Sequence, residues 1–165
     1  MKISSITPFA YPTNRDCKKG YKKECVFKAG VNIGPSEAFL LFSKSIGSNI
    51  LPEGYRNKPC LYVDKLISTG KGTGTEAIKK VVRQSLSMPE CEGRVTLLAC
   101  GPGGEAITAA GFYYKLGFRA VSEDINQLYE GWLKCGGKKE YCPKAKTYMY
   151  LPKENIEHCL NYSKK

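Results

Sequence analysis

Histidine is almost absent from this chain: His158 is the only one, and the eight cysteines include no C-x-x-C pair. A zinc site needs thiolates and imidazoles clustered at short spacing, so these counts argue against one. The start, M-K-I-S-S-I, lacks an apolar core of signal-peptide length. No run approaches the roughly 20 apolar residues that cross a bilayer. The expectation is a cytoplasmic protein with no membrane partner, whose cysteines are free thiols rather than a disulfide framework. Cys60 and Cys100, inside apolar runs, read as small core residues. Arginine is scarce beside lysine and forms no arginine-rich segment, which disfavours specific nucleic-acid readout.

What is plentiful is lysine. Twenty-six Lys and Arg against 15 Asp and Glu give a net charge of +11, concentrated at 18–28 and 134–153. Most of this reads as solvated surface. Attraction to an anionic cofactor or to a polyanion such as RNA is the sharper reading. The 165 residues, 42% of them apolar, suit one domain with a sizeable core.

Along the chain, 1–24 reads as an irregular arm, broken by Pro8, Pro12, Asn14 and Gly20, with room for one short strand or helix. Residues 25–31 suit a strand. The run 36–45 has helix length, with Ser36 as its cap, although a buried strand fits so short a run too. Residues 47–59 read as loop, and 60–67 alternate as a strand. A helix is expected over 75–87, with Ile78, Val81, Val82 and Leu86 inward and Glu76 paired to Lys80. A buried strand follows at 94–100. A second helix spans 105–116, with Ala106, Ala109, Tyr113 and Leu116 inward and Gly117 as its stop. Then come a strand at 118–121, a helix at 123–134 ending at Gly136 and Gly137, a strand at 146–151, and a terminal helix from Pro152 to Asn161. Strands alternating with helices in the second half argue for α/β.

The segment 68–77, S-T-G-K-G-T-G-T-E-A, joins a strand to a helix through three glycines. Bare backbone there approaches a ligand closely, and the helix start aims N–H groups and its positive dipole end at it. Phosphate suits such a place. A mononucleotide P-loop is excluded, because Lys71 is followed by Gly72 and not by Ser or Thr. The dinucleotide pattern G-x-G-x-x-A is met by 72–77, but the acidic residue it needs after the next strand is missing.

Gly70-Lys71-Gly72-Thr73-Gly74 resembles the pyrophosphate loop of the GNAT-type N-acetyltransferase superfamily. Phe112-Tyr113-Tyr114-Lys115-Leu116-Gly117-Phe118 is similar to that family's F-Y-x-K-x-G-F segment. The resemblance covers about 61–121, with both parts in the family's order. It implies an α/β (α+β) fold with a mixed, mostly antiparallel central sheet flanked by helices and splayed between the fourth and fifth strands. It implies acetyl-CoA as cofactor, held by Leu66, Ile67, Ser68, Thr69, Gly70, Lys71, Gly72, Thr73, Gly74 and Thr75, and direct acetyl transfer to a primary amine on a small molecule or protein. Tyr113 matches the general acid toward the departing thiolate, while Phe112 and Tyr114 leave that register open by one residue. Its other reading is packing on the inner face of the helix. Asp64, on the preceding strand, is a candidate base or a solvated strand residue. Two departures stand out: Thr69 replaces the family's Gln or Arg, and Ala106 replaces an asparagine. They leave room for a catalytically silent CoA-binding module. Small size and basic charge leave room for a toxin-type enzyme acting on aminoacyl-tRNA.

Overall fold

The computed structural model describes residues 2–3, 7–9, 26–33, 36–68, 72–101 and 107–163. Chain contacts divide them into two compact units, 1–96 with 163–165, and 97–162.

The first unit is built on antiparallel strands. Of the arm at 1–24, the described parts are two short strands, β1 (Lys2–Ile3) and β2 (Thr7–Phe9). Both pair with β3 (Val26–Ile33), β1 near Val31 and β2 near Phe27. The remainder of the arm lies outside the described residues. β4 (Ser36–Ile46) pairs with β3 along one edge and with β5 (Pro59–Ser68) along the other. The helix expected over 36–45 is therefore a strand, and Ser36 pairs with Ile33 instead of capping anything. The cause is tertiary. Leu40, Phe42 and Ser43 are all fully buried, and a strand with partners on both edges reads as a continuous apolar run without the period of two.

The loop at 47–58 closes on itself: Gly47 N–H donates to the Lys58 carbonyl at 2.9 Å, and Asn57 N–H to the Gly47 carbonyl at 2.9 Å. Leu51 and Tyr55 anchor it in the core. After β5, helix α1 (Thr73–Ser87) lies across β3, β4 and β5. Ala77, Ile78, Val81 and Val82 are fully buried. Leu86, expected inward, is 45% exposed; Ser85 takes the inner position and donates its hydroxyl to the Arg94 carbonyl at 2.8 Å. Glu76 pairs with Lys79 at 3.7 Å, one residue short of the expected Lys80. Arg94 then ties the approach to β6 (Val95–Ala99), donating to the carbonyls of Pro59 (2.7 Å) and Glu90 (2.6 Å). The division between the units falls inside β6.

In the second unit, the helix expected over 105–116 begins only at Ala109, as α2 (Ala109–Lys115). Ile107 is taken by a two-bond bridge to Ala145, at 3.1 and 3.0 Å. Ala106 lies outside the described residues. Gly117 does stop the helix, at φ 104°. Phe118 N–H returns to the Tyr113 carbonyl (3.1 Å) and Gly117 N–H to that of Tyr114 (3.0 Å), with the Phe118 ring on Tyr113. That is a Schellman stop with its hydrophobic contact. β7 (Arg119–Ala120) pairs antiparallel with β8 (Thr147–Tyr150), and α3 (Glu123–Lys134) lies between them in sequence. α3 ends at Gly136 and Gly137 in the same manner, their N–H groups donating to the Leu133 and Trp132 carbonyls at 3.0 Å each. A 3₁₀ turn (Lys153–Asn155) leads into α4 (Ile156–Asn161), whose Cys159 is fully buried. The fold is thus mixed α and β. Among the described residues no helix is long and apolar enough to cross a membrane.

Gly47 has no room for a side chain, because a Cβ there would collide with the Tyr55 carbonyl oxygen. Gly47→Ala is expected to cost about 1–3 kcal/mol as the loop backbone shifts, read by urea denaturation against the parent.

Candidate functional site

Toward its end β5 leaves the core. Cys60, Leu61 and Val63 are buried, Leu66 is half-buried, and Lys65, Ile67 and Ser68 are exposed, Ile67 by 50%. The change follows a break in the ladder. Leu41 pairs with Lys65 but Phe42 pairs with Val63, so Asp64 is an extra residue with no opposite number on β4. A bulge of this kind bends the strand and re-aims a side chain. Asp64 is half-buried, and its Oδ2 is withdrawn from solvent. Nothing in the alternation of 60–67 announced the bulge.

Thr69, Gly70 and Lys71 lie outside the described residues. Gly72 is the residue before the first turn of α1, in left-handed backbone at φ 87°, and no side chain caps the helix start. Space around Gly72 is open where a Cβ would stand. Thr73, Gly74 and Thr75 are buried as whole residues, backbone included. The first N–H groups of a helix have no acceptor within it. Here the usual Ser, Thr or Asp cap is replaced by a half-exposed glycine. Glu76 sits in this first turn, and the buried Lys79 ammonium offsets its charge.

Asp64, Leu66, Ile67, Ser68, Gly72, Thr73, Gly74 and Thr75 thus belong to the first unit, on one strand–loop–helix segment. Tyr113 belongs to the second. It is 8% exposed, edge-on to Phe112 at 5.0 Å and to Phe118 at 5.8 Å. Burial pushes its phenol up to about 12. Tyr114, one residue on, stacks on Tyr129 at 5.8 Å, with the Arg119 guanidinium 4.0 Å over its ring. Packing on the inner face is therefore observed for both tyrosines. Cys100 is half-buried and, like Cys60, Cys91, Cys135, Cys142 and Cys159, a free thiol. Burial raises the thiols of Cys60 and Cys91, the latter to about 11, opposite to what a nucleophile needs. Among the described residues no group of His, Cys, Asp and Glu could hold a metal ion.

No protein-family model, curated protein or solved structure matches this chain. The site therefore rests on its geometry and on the motif resemblance over 61–121.

Tyr113 has a consequence in alkali. An unfolded tyrosine ionises near 10 and the folded one at about 12. Below pH 10 both forms are protonated and nothing is lost. From there toward 12 the unfolded chain releases its proton first, so stability falls, by at most about 2.7 kcal/mol for the two-unit difference. Urea denaturation near pH 8 and near pH 11 is expected to show this loss. Tyr113→Phe should remove its share, leaving those of Tyr129, which burial also pushes up to about 12, and of Tyr150, which burial raises too.

Proposed function

We propose that the end of β5, the glycine loop and the start of α1 bind the pyrophosphate of acetyl-CoA, and that the protein transfers an acetyl group to a primary amine. The observation that carries this reading is Gly72: left-handed, without a side-chain cap, at the start of a 15-residue helix, with nothing within 4 Å of where its Cβ would stand. An anion there gains both the N–H groups of the first turn and the dipole. Acetyl-CoA would supply the acetyl group as an activated thioester.

The chain's own residues have limited work in direct transfer. The exposed end of β5, at Ile67 and Ser68, offers backbone donors and acceptors for an extended amide-bearing chain. Asp64, placed by the bulge, accepts a proton from the ammonium of the acceptor so that the amine attacks neutral. Tyr113 takes its role from the resemblance over 112–118, not from a measured distance to the loop. A phenol at about 12 keeps its proton at neutral pH. It does not hand that proton over completely to a thiolate whose ordinary value is near 8.5. Its contribution is a hydrogen bond to the developing negative sulfur.

Calorimetry with acetyl-CoA tests the binding step. Binding is expected, and free pantetheine, which lacks the pyrophosphate, should bind far more weakly. Silence at millimolar acetyl-CoA would overturn the proposal. Gly72→Asp sharpens the test, because aspartate tolerates left-handed backbone better than most residues yet places a carboxylate where the phosphates belong. Affinity should fall at least about tenfold, beside a backbone cost of about 1–2 kcal/mol for a side chain at φ 87°. Mass spectrometry of acetylation across a panel of amines then separates an enzyme from a silent binding module. Losing one hydrogen bond to a charged atom, worth about 1.5–3 kcal/mol, predicts a roughly ten- to hundredfold slower turnover for Tyr113→Phe.

A further inference from the structure

β8 and the turn before it present a face that acetyl transfer does not use. From 144 to 149 burial alternates without a break: Lys144, Lys146 and Tyr148 are exposed, while Ala145, Thr147 and Met149 are buried. The bridge from Ala145 to Ile107 holds the chain extended before the strand itself begins. A period of two puts the three exposed side chains in one row, successive members about 6.7 Å apart. Just upstream, Lys138 and Lys139 are exposed around the 3₁₀ turn Lys139–Tyr141, and the Tyr141 ring is 71% exposed. Against these four lysines stands one acid in the segment, Glu140. Among the described residues no ion pair engages Lys138, Lys139, Lys144 or Lys146. At the far end of β8 the row turns acidic, since Glu123 and Glu154 lie close to Tyr150.

Lysines alone are ordinary surface. Two tyrosine rings left open among them are not, because an aromatic face in water forgoes the burial that normally holds it. One class of partner satisfies both groups. Single-stranded nucleic acid offers phosphates to the lysines and flat base faces to the rings. An acidic peptide matches only the lysines. An anionic bilayer would want exposed Trp, Phe or Leu beside them, and here Ala145 and Met149 point inward.

We propose that this face binds single-stranded nucleic acid, with Lys138, Lys139, Lys144 and Lys146 on the phosphates and Tyr141 and Tyr148 stacked on bases. The proposal is independent of acetyl transfer and survives its failure. Fluorescence anisotropy of the full chain with a short labelled oligouridylate, across a salt series, tests it. Binding should weaken steeply with salt, and Lys144→Ala with Lys146→Ala should flatten the log–log slope by about 1.4, at roughly 0.7 per phosphate contact. Tyr148→Ala should weaken binding at least about fivefold, whereas Tyr148→Phe, which keeps the ring face, should bind like the parent. All three side chains are exposed, so the variants should keep the parent's thermal midpoint. Three outcomes overturn the proposal. They are no binding at low salt, variants indistinguishable from the parent, and competition by polyglutamate or anionic phosphatidylserine vesicles as effective as that by unlabelled RNA.

Discussion

The first unit depends on β4 having a partner along both edges. A strand so placed has its backbone groups satisfied by β3 and β5, which lets its side chains be apolar on both faces without cost. Leu40 and Phe42, two residues apart and so on one face, are both fully buried, and α1 has a floor to pack on. The arrangement also defines where β5 is free to deviate. Its first half is held between buried neighbours, while its second half, past the bulge at Asp64, runs out to solvent. The candidate site begins at the stretch where β5, still paired with β4 through Ser68, has exposed side chains.

The second unit is organised differently, around glycine stops. The F-Y-Y-K-L-G-F segment, which suggested a cofactor, has a complete physical account as a helix end. Gly117 supplies the left-handed turn, Phe118 packs back on Tyr113, and Asn155 donates its amide to the Gly117 carbonyl at 2.7 Å. Lys115 lies 4.8 Å from the Trp132 ring and donates to the Gly137 carbonyl at 3.1 Å, joining one stop to the other. The motif's residues are therefore needed by the fold whatever chemistry they also serve. The weight of the functional reading falls on Gly72, whose left-handed turn at φ 87° itself favours glycine.

Elements with clear punctuation were legible in the sequence. α3 spans the expected 123–134, with Glu123 and Asp124 in its first turn and Gly136 closing it. β5, β6 and β8 fell where alternation or a glycine-bounded apolar run put them. What failed were features fixed by distant partners. The run 36–46 lacks a clear period of two, with Leu40, Phe42, Ser43 and Ser45 all buried, and its strand state comes from pairing. Ile107 left a helix pattern for a bridge to a residue 38 positions away. Leu86 and Ser85 exchanged places because the Arg94 carbonyl needed a donor. Within the candidate site, the helix after the glycine segment was legible and the bulge at Asp64 was not, since a bulge is a mismatch between two strands and neither one shows it alone.

β7 is only two residues long and ends the strand order, the position at which a sheet offers its backbone to any passing chain. Asn126, buried on α3, answers this with a single side chain. Its Oδ1 accepts from the Ala120 N–H at 2.7 Å and its Nδ2 donates to the Ala120 carbonyl at 2.9 Å. The amide thus imitates the rung of a neighbouring strand. That one residue works as a plug. It occupies both backbone groups of Ala120, the pair that an added strand would otherwise take up.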